Sequence, residues 1–507
     1  MEQRAIQNNI YNERKNLRLQ SIKKKILREQ LNHPLILSAI VLFSMVAAGG
    51  IAFFGWKAGI LLLLAIIGVP AVYAAIAYPK VGIITSITVS YFLLYAEKFT
   101  SFPVGTIMDG LLALLIFGFF LKQKHTQNWK IFKNSISLMI IIWIGYNFIE
   151  VANPVAESWM AWVYTIRTVA VVLLMYFIFL YHIRSIQFIR LIFKIWIALS
   201  LIAALYGLNQ ELFCFFPFEQ RWLDANPTAR SLYFIGGIWR KFSIFSDPVT
   251  FSYNMVISAL LCISLMTGQL KTSRKIILFL IAFFCIFSML FSGTRGAYVL
   301  VPATLGMFLI LKFNKKILFF GLLAGAAMAA LVFMPTSNES VRRFQSAFSP
   351  EYDASFNVRQ TNQKMIQPFI LTHPFGGGLG ATGTWGQRFS PNSFLANFPP
   401  DSGYVRVAVE IGWIGLFIFC ALIFITLKVG ITNYYEIKDP ELKSYSLAMV
   451  LIVFALNIGN FPQEALVQYP TSILFSLVLA LINTLLLLDK KNKTAITSLV
   501  SNEKYHD

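Results

Sequence analysis

Apolar positions along this chain gather into long runs separated by short basic or mixed connections. Two early runs, from Leu35 to Phe54 and from Ala58 to Ala77, already have membrane-spanning length. At a rise of about 1.5 Å per residue, roughly twenty apolar residues cross the hydrocarbon core. The pattern repeats about fourteen times, at approximately 34–55, 58–78, 81–97, 104–121, 134–151, 162–181, 191–208, 248–267, 276–291, 296–311, 317–334, 403–427, 444–459 and 470–488. It predicts an all-α polytopic membrane protein of about 14 transmembrane helices with a long, partly helical outer loop.

Composition strengthens that picture. Of 507 residues, 57% are hydrophobic and only 13% charged, against about 25% charged in soluble domains. The first 33 residues are polar and basic, and the apolar run after them is too long for a signal-peptide core, so no cleavable leader is expected. This segment reads as a cytoplasmic arm on acidic headgroups. The net charge of +20 is spread over connections beside apolar runs, which argues against nucleic acid as a partner. Cys214, Cys262, Cys285 and Cys420 show no metal or disulfide spacing and read as small core hydrophobes.

Charge also sets an orientation. Basic clusters such as Lys122/Lys124/Lys130/Lys133 and Lys312/Lys315/Lys316 fall in alternate short connections, which the positive-inside trend places in the cytoplasm with both termini. The two longest connections, 209–247 and 335–402, then face outward. Residues 356–372 have apolar positions near helical spacing and predict a surface helix within the second. The expected organisation is a basic arm (1–33), N-terminal spans (34–208), a first outer loop (209–247), a second transmembrane domain (248–488) containing the loop 335–402, and a cytoplasmic tail (489–507).

The chemistry-bearing residues gather on the outer side. Arg167, Arg240, Arg295, Arg359 and Arg406 all map to outer helix ends or outer loops, against the positive-inside trend. One arginine there can simply snorkel to headgroup phosphates. Several together favour an anionic ligand, since a guanidinium fork matches phosphate oxygens. His373-Pro374 precedes Gly376-Gly377-Gly378-Leu379-Gly380, which reads either as a flexible turn or as backbone able to approach phosphate. Asp401, where the outer loop enters a helix, reads as an N-cap or as an acid-base group at the water boundary. Glu410, about two turns further on, needs a partner there. Glu351-Tyr352-Asp353 has an acidic spacing used for metals in some lipid-linked glycosyltransferases, a match common by chance.

In order, Arg240 before Phe242 to Pro248, Ser-Gly-Thr-Arg-Gly around Arg295, Arg359 ahead of His-Pro-Phe-Gly-Gly-Gly-Leu-Gly, Asp-Ser-Gly-Tyr at Asp401 and Glu-Ile-Gly-Trp at Glu410 resemble the O-antigen ligase and polymerase family over about residues 235–425. The resemblance implies a metal-independent, cofactor-free, inverting glycosyltransferase on the periplasmic face of the bacterial inner membrane. Its donor would be an undecaprenyl-diphosphate-linked oligosaccharide, with membrane lipids, a chain-length regulator and a flippase as partners. Arg240, Arg295 and Arg359 would grip the diphosphate, and Asp401 stands where many ligases have a histidine base. Arg406, Glu410 and His373 are further candidates. That departure favours an O-antigen or exopolysaccharide polymerase over a ligase to lipid A core. A lipid-linked oligosaccharide flippase is the rival from another class, disfavoured because no internal repeat is visible.

Overall fold

The computed structural model describes residues 72–100, 104–126, 129–235, 237–337 and 354–503, with scattered positions between 38 and 70 and between 342 and 348. The chain divides into two compact units, 1–74 and 75–507. The described positions of the first are helical. The arm 1–33, most of the expected spans 34–55 and 58–78, and Glu351, Tyr352 and Asp353 lie outside the described residues. The second unit carries every described candidate site residue.

This second unit has the architecture of an all-α membrane protein. Among the described residues, ten helices are long and apolar enough to cross a bilayer, and Arg295–Leu311 and Gly321–Phe333 are shorter apolar helices. Each overlaps an expected span, most within a few residues of its bounds, but Ile186–Phe213 exceeds 191–208 by five residues at each end and Gly403–Glu436 runs nine residues past 403–427. One expected span, 162–181, is interrupted: Trp159–Val169 passes through a 3-10 turn, Val171–Leu174, into Met175–His182.

Three helices are apolar all round and form the centre. Pro248–Met266, Pro440–Gly459 and Thr471–Lys493 have 78%, 78% and 83% of their apolar windows buried, whereas Thr272–Leu290 has 22% and lies at the periphery. Lipid tails are as apolar as leucine, so interhelical polar contacts help to fix the packing. The Asn483 amide donates to Asn134 and Tyr176. The Trp196 indole donates to Ser258, whose hydroxyl also meets Ser200, which in turn meets Tyr91. Each such bond contributes on the order of 0.6 kcal/mol. Cys262 and Cys285 are buried as expected, but Cys214 and Cys420 are exposed and are not core residues.

Helix alternation brings both long connections, the turn at 291–294 and the segment 460–470 to one end of the bundle. The first connection is a small folded unit: helices Pro217–Ala225 and Pro227–Tyr233, then a two-residue antiparallel pair, Phe234–Ile235 with Ile238–Trp239. The second contains Ala354–Thr372, close to the expected 356–372, and a short helix Gly383–Phe389.

Candidate functional site

The turn between Thr272–Leu290 and Arg295–Leu311 is braced from the first long connection. The Arg240 guanidinium donates to the Ser292 carbonyl (3.0 Å), the Thr294 hydroxyl (3.1 Å) and the Leu232 carbonyl (3.2 Å), and the Lys241 N–H donates to the Phe291 carbonyl. Gly293 takes a positive φ of 57° to make the turn. Arg295 then opens the next helix, half-buried. Arg240 and Arg295 therefore share one rigid turn.

A chain of contacts leads from this turn to the other candidates. The Gly296 position packs against Pro462 and the Tyr253 hydroxyl, and Tyr253 donates to the Gly459 carbonyl. The next residue, Asn460, accepts from the Gly403 N–H at the start of Gly403–Glu436. Asp401 lies two residues before that helix and accepts from Asn362 at 3.4 Å. Asn362 is three residues beyond Arg359, on the same side of Ala354–Thr372. Asp401 is not the N-cap: Ser402 holds that position, with no side-chain capping bond.

Arg406 and Glu410 are brought together, but as a closed ion-paired group. Arg406 bonds Glu410 at 3.0 Å and Glu464 at 2.5 Å, and the Thr382 hydroxyl donates to Glu410 at 2.5 Å. Glu410 is 2% exposed, and a charge this deep is tolerable only when paired in this way. A small apolar cavity of about 70 Å³, walled by Trp143, Leu173, Phe419 and Phe475, adjoins the group.

The glycine run forms turns whose Gly376, Gly377 and Gly378 N–H groups are taken by backbone carbonyls. The Gly403–Glu436 helix breaks at Ile411 and Gly412, where φ at Gly412 is +71°. A break of this kind frees carbonyls of the preceding turn, and buried carbonyls must be satisfied. Gly377 and Gly378 donate their N–H groups to the Val409 and Glu410 carbonyls, each at 2.8 Å, and Tyr146 donates to the Ile411 carbonyl. A Cβ on Gly412 would overlap the Pro374 carbonyl oxygen, so only glycine fits there. His373 ends the preceding helix: Nδ1 lies 2.9 Å from the Phe369 carbonyl and from the Thr372 hydroxyl, and the ring stacks on Phe369. His373 thus stands at the turn that follows this helix, its Nδ1 engaged locally. Arg167 pairs with Asp109 at 3.0 Å, away from the contacts that join Arg295 to Asp401.

Behind Arg240, a buried polar network stiffens the first connection. Glu219, fully buried, accepts from Tyr95, Tyr206, Gln210 and the Phe216 N–H. The other end of Gln210 accepts from the Ser243 N–H, tying the network to the segment after Arg240. Beside it the Lys98 ammonium sits over the rings of Phe242, Trp222 and Tyr233. Burial lowers its pKa to about 7, opposed by the charges of Asp247 and Glu219.

These features can be set beside known proteins. A family model described as O-antigen ligase matches residues 278–420. Over that stretch the chain resembles the O-antigen ligase/polymerase family. The match contains Arg295, Arg359, His373, Asp401, Arg406 and Glu410, while Arg240 precedes it. An O-antigen polymerase of Salmonella muenchen is 27% identical over 194 residues, covering 36% of this chain and 45% of that protein. The match thus spans less than half the length of that relative.

Glu464, Thr382, Asn362, Asn460 and Tyr253 were not singled out from sequence. Only Glu464 left a signal there, as a carboxylate in a short connection at the end where Arg406 needs a counter-charge. The others are uncharged, and their positions follow from helix packing alone. Among the described residues no three His, Cys, Asp or Glu side chains are grouped as metal ligands would be.

Proposed function

We propose that this protein is a polysaccharide polymerase of O-antigen or exopolysaccharide type. It transfers glycan from undecaprenyl diphosphate to a hydroxyl of another lipid-linked unit, at the periplasmic face of the bacterial inner membrane. One observation carries the reading: successive contacts link Arg295 on its braced turn to the segment at Asp401 at the long-connection end, and Arg359 lies three residues from Asn362, which bonds Asp401, all within the family stretch. Residues 248–488, with the loop 335–402, form the working domain in this account.

The chemistry follows from what such a donor requires. The acceptor oxygen attacks the anomeric carbon as the bond from that carbon to the diphosphate oxygen breaks. The electron pair leaves with the diphosphate, and the acceptor proton passes to Asp401. A single displacement of this kind inverts the anomeric centre. Arg240, Arg295 and Arg359 stabilise the charge that grows on the departing diphosphate, the role in which fixed cations contribute most to rate. Asp401 is half-buried and accepts a hydrogen bond from the neutral Asn362 amide, and a carboxylate placed at the water boundary is the group able to take the acceptor's proton.

Arg406 and Glu410 act differently in this account. They neutralise one another and anchor the helix break beside the site, as positioning residues. Ligation to lipid A core is the second reading, favoured by the description of the family model. The two are separated by giving the purified protein in liposomes a polyprenyl-diphosphate-linked repeat unit alone. A ladder of products on a gel means a polymerase, and a single product appearing only after lipid A core is added means a ligase. No product in either case would favour transport.

A further inference from the structure

A groove of about 390 Å³ runs between Ala354–Thr372 and the start of Gly403–Glu436, within the size range of about 300–1,000 Å³ typical of small-molecule sites. Its helical wall presents Gln360, Gln363 and Gln367, which lie on one face at spacings of three and four residues. None of these amides has a hydrogen-bond partner among the described residues. Across the groove stand Ser402, Tyr404 and Phe461. Tyr404 is held rigid by hydrogen bonds to Asn457, and Phe461 is 61% exposed.

Ser402 supplies the independent sign of a ligand. It is 2% exposed, its hydroxyl is buried without a hydrogen-bond partner, and it lines the groove. Leaving a buried hydroxyl unmet is costly, and a bound hydroxyl could satisfy it. The residue before it is Asp401, the acid-base group of the proposed reaction.

Resting on the polymerase reading, we propose that this groove is the acceptor-sugar subsite, binding the terminal sugar of the incoming glycan. The chemistry fits a carbohydrate. Amide groups both donate to and accept from ring hydroxyls, and aromatic rings cover the apolar face of a sugar. The charged lining group is Lys364, so the groove also suits a sugar bearing a carboxylate. Its position beside Asp401 sets the acceptor hydroxyl near the group that takes its proton.

The test uses full-length protein in nanodiscs and lipid-free oligosaccharide repeat units released by mild acid from the polyprenyl-linked glycans of the producing cell. Calorimetric binding is compared for wild type, the double variant Gln363→Met/Gln367→Met, Phe461→Ala and Arg295→Ala. The proposal expects at least tenfold weaker binding in the double variant, weaker binding in Phe461→Ala, and less than twofold change in Arg295→Ala. Equal binding by the double variant and wild type, or no binding by wild type, overturns it. A companion assay varies this oligosaccharide at fixed lipid-linked donor and reads KM. The oligosaccharide's KM should rise in the double variant, and an unchanged KM would overturn the acceptor assignment. Should wild type elongate nothing, the polymerase reading fails, and the binding comparison still decides the groove.

Discussion

The two long connections lie at the same end of the bundle but are built on opposite principles. The first directs its polar groups inward: Glu219 takes four donors, and the ammonium of Lys98 is enclosed by aromatic rings. Among its described residues the second closes the glycine wedge and the Thr382–Glu410 contact against Gly403–Glu436, and leaves amides facing a groove. The contrast separates a bracket from a working surface. Satisfied polar networks rigidify what they hold, here the segment carrying Arg240, whereas unspent hydrogen-bonding capacity is what a ligand can use.

The sharpest way to break the comparison is at the wedge. Gly412→Ala places a Cβ on the Pro374 carbonyl at a backbone angle that favours glycine. It should destabilise the protein by about 3 kcal/mol or more, seen as a large drop in thermal midpoint in detergent. A midpoint unchanged from wild type would mean the wedge is loose. In the first connection, Glu219→Ala strands four donors and should cost about 3 kcal/mol. Glu219→Gln, which keeps most acceptors, should cost much less; equal losses would show that the network does not brace the loop.

Smaller effects sharpen the functional side. Asp401→Asn should lower turnover about 100-fold while leaving donor binding within a few-fold, as expected for a lost acid-base group. Equal loss of both would instead indicate a structural part for Asp401. The smallest effect concerns Lys98. Its folded pKa, about 7, lies below the unfolded value near 10.5. The cost of burying its charge is therefore fully present below pH 7 and is relieved as pH rises from 7 towards 10.5. The wild-type thermal midpoint should climb relative to that of Lys98→Met over that interval. Parallel pH profiles would contradict the buried-cation account.

Much of the fold was legible because membrane insertion writes a coarse rule into sequence. Twenty apolar residues in a row permit few alternatives, and the described spans overlap the expected ones, most of them within a few residues. The outer arginines stood out for a similar reason, since a cation against the positive-inside trend is conspicuous. What such reasoning misread depends on partners distant in sequence. The glycine run looked flexible because the carbonyls of Val409 and Glu410 are freed only by a helix break some thirty residues later. Asp401 resembled an N-cap because a one-residue shift at a helix start leaves no trace in composition. Arg406 looked like a ligand-binding cation until Glu464 and Glu410 were found against it.

The most direct test of the central claim compares Arg295→Ala with wild type in liposomes holding a polyprenyl-diphosphate-linked repeat unit, with products read on a gel. Thermal midpoint is followed alongside. The account predicts at least about 100-fold less ladder from the variant, with a midpoint close to that of wild type. A normal ladder from a well-folded Arg295→Ala protein would contradict it and remove Arg295 from the reacting centre.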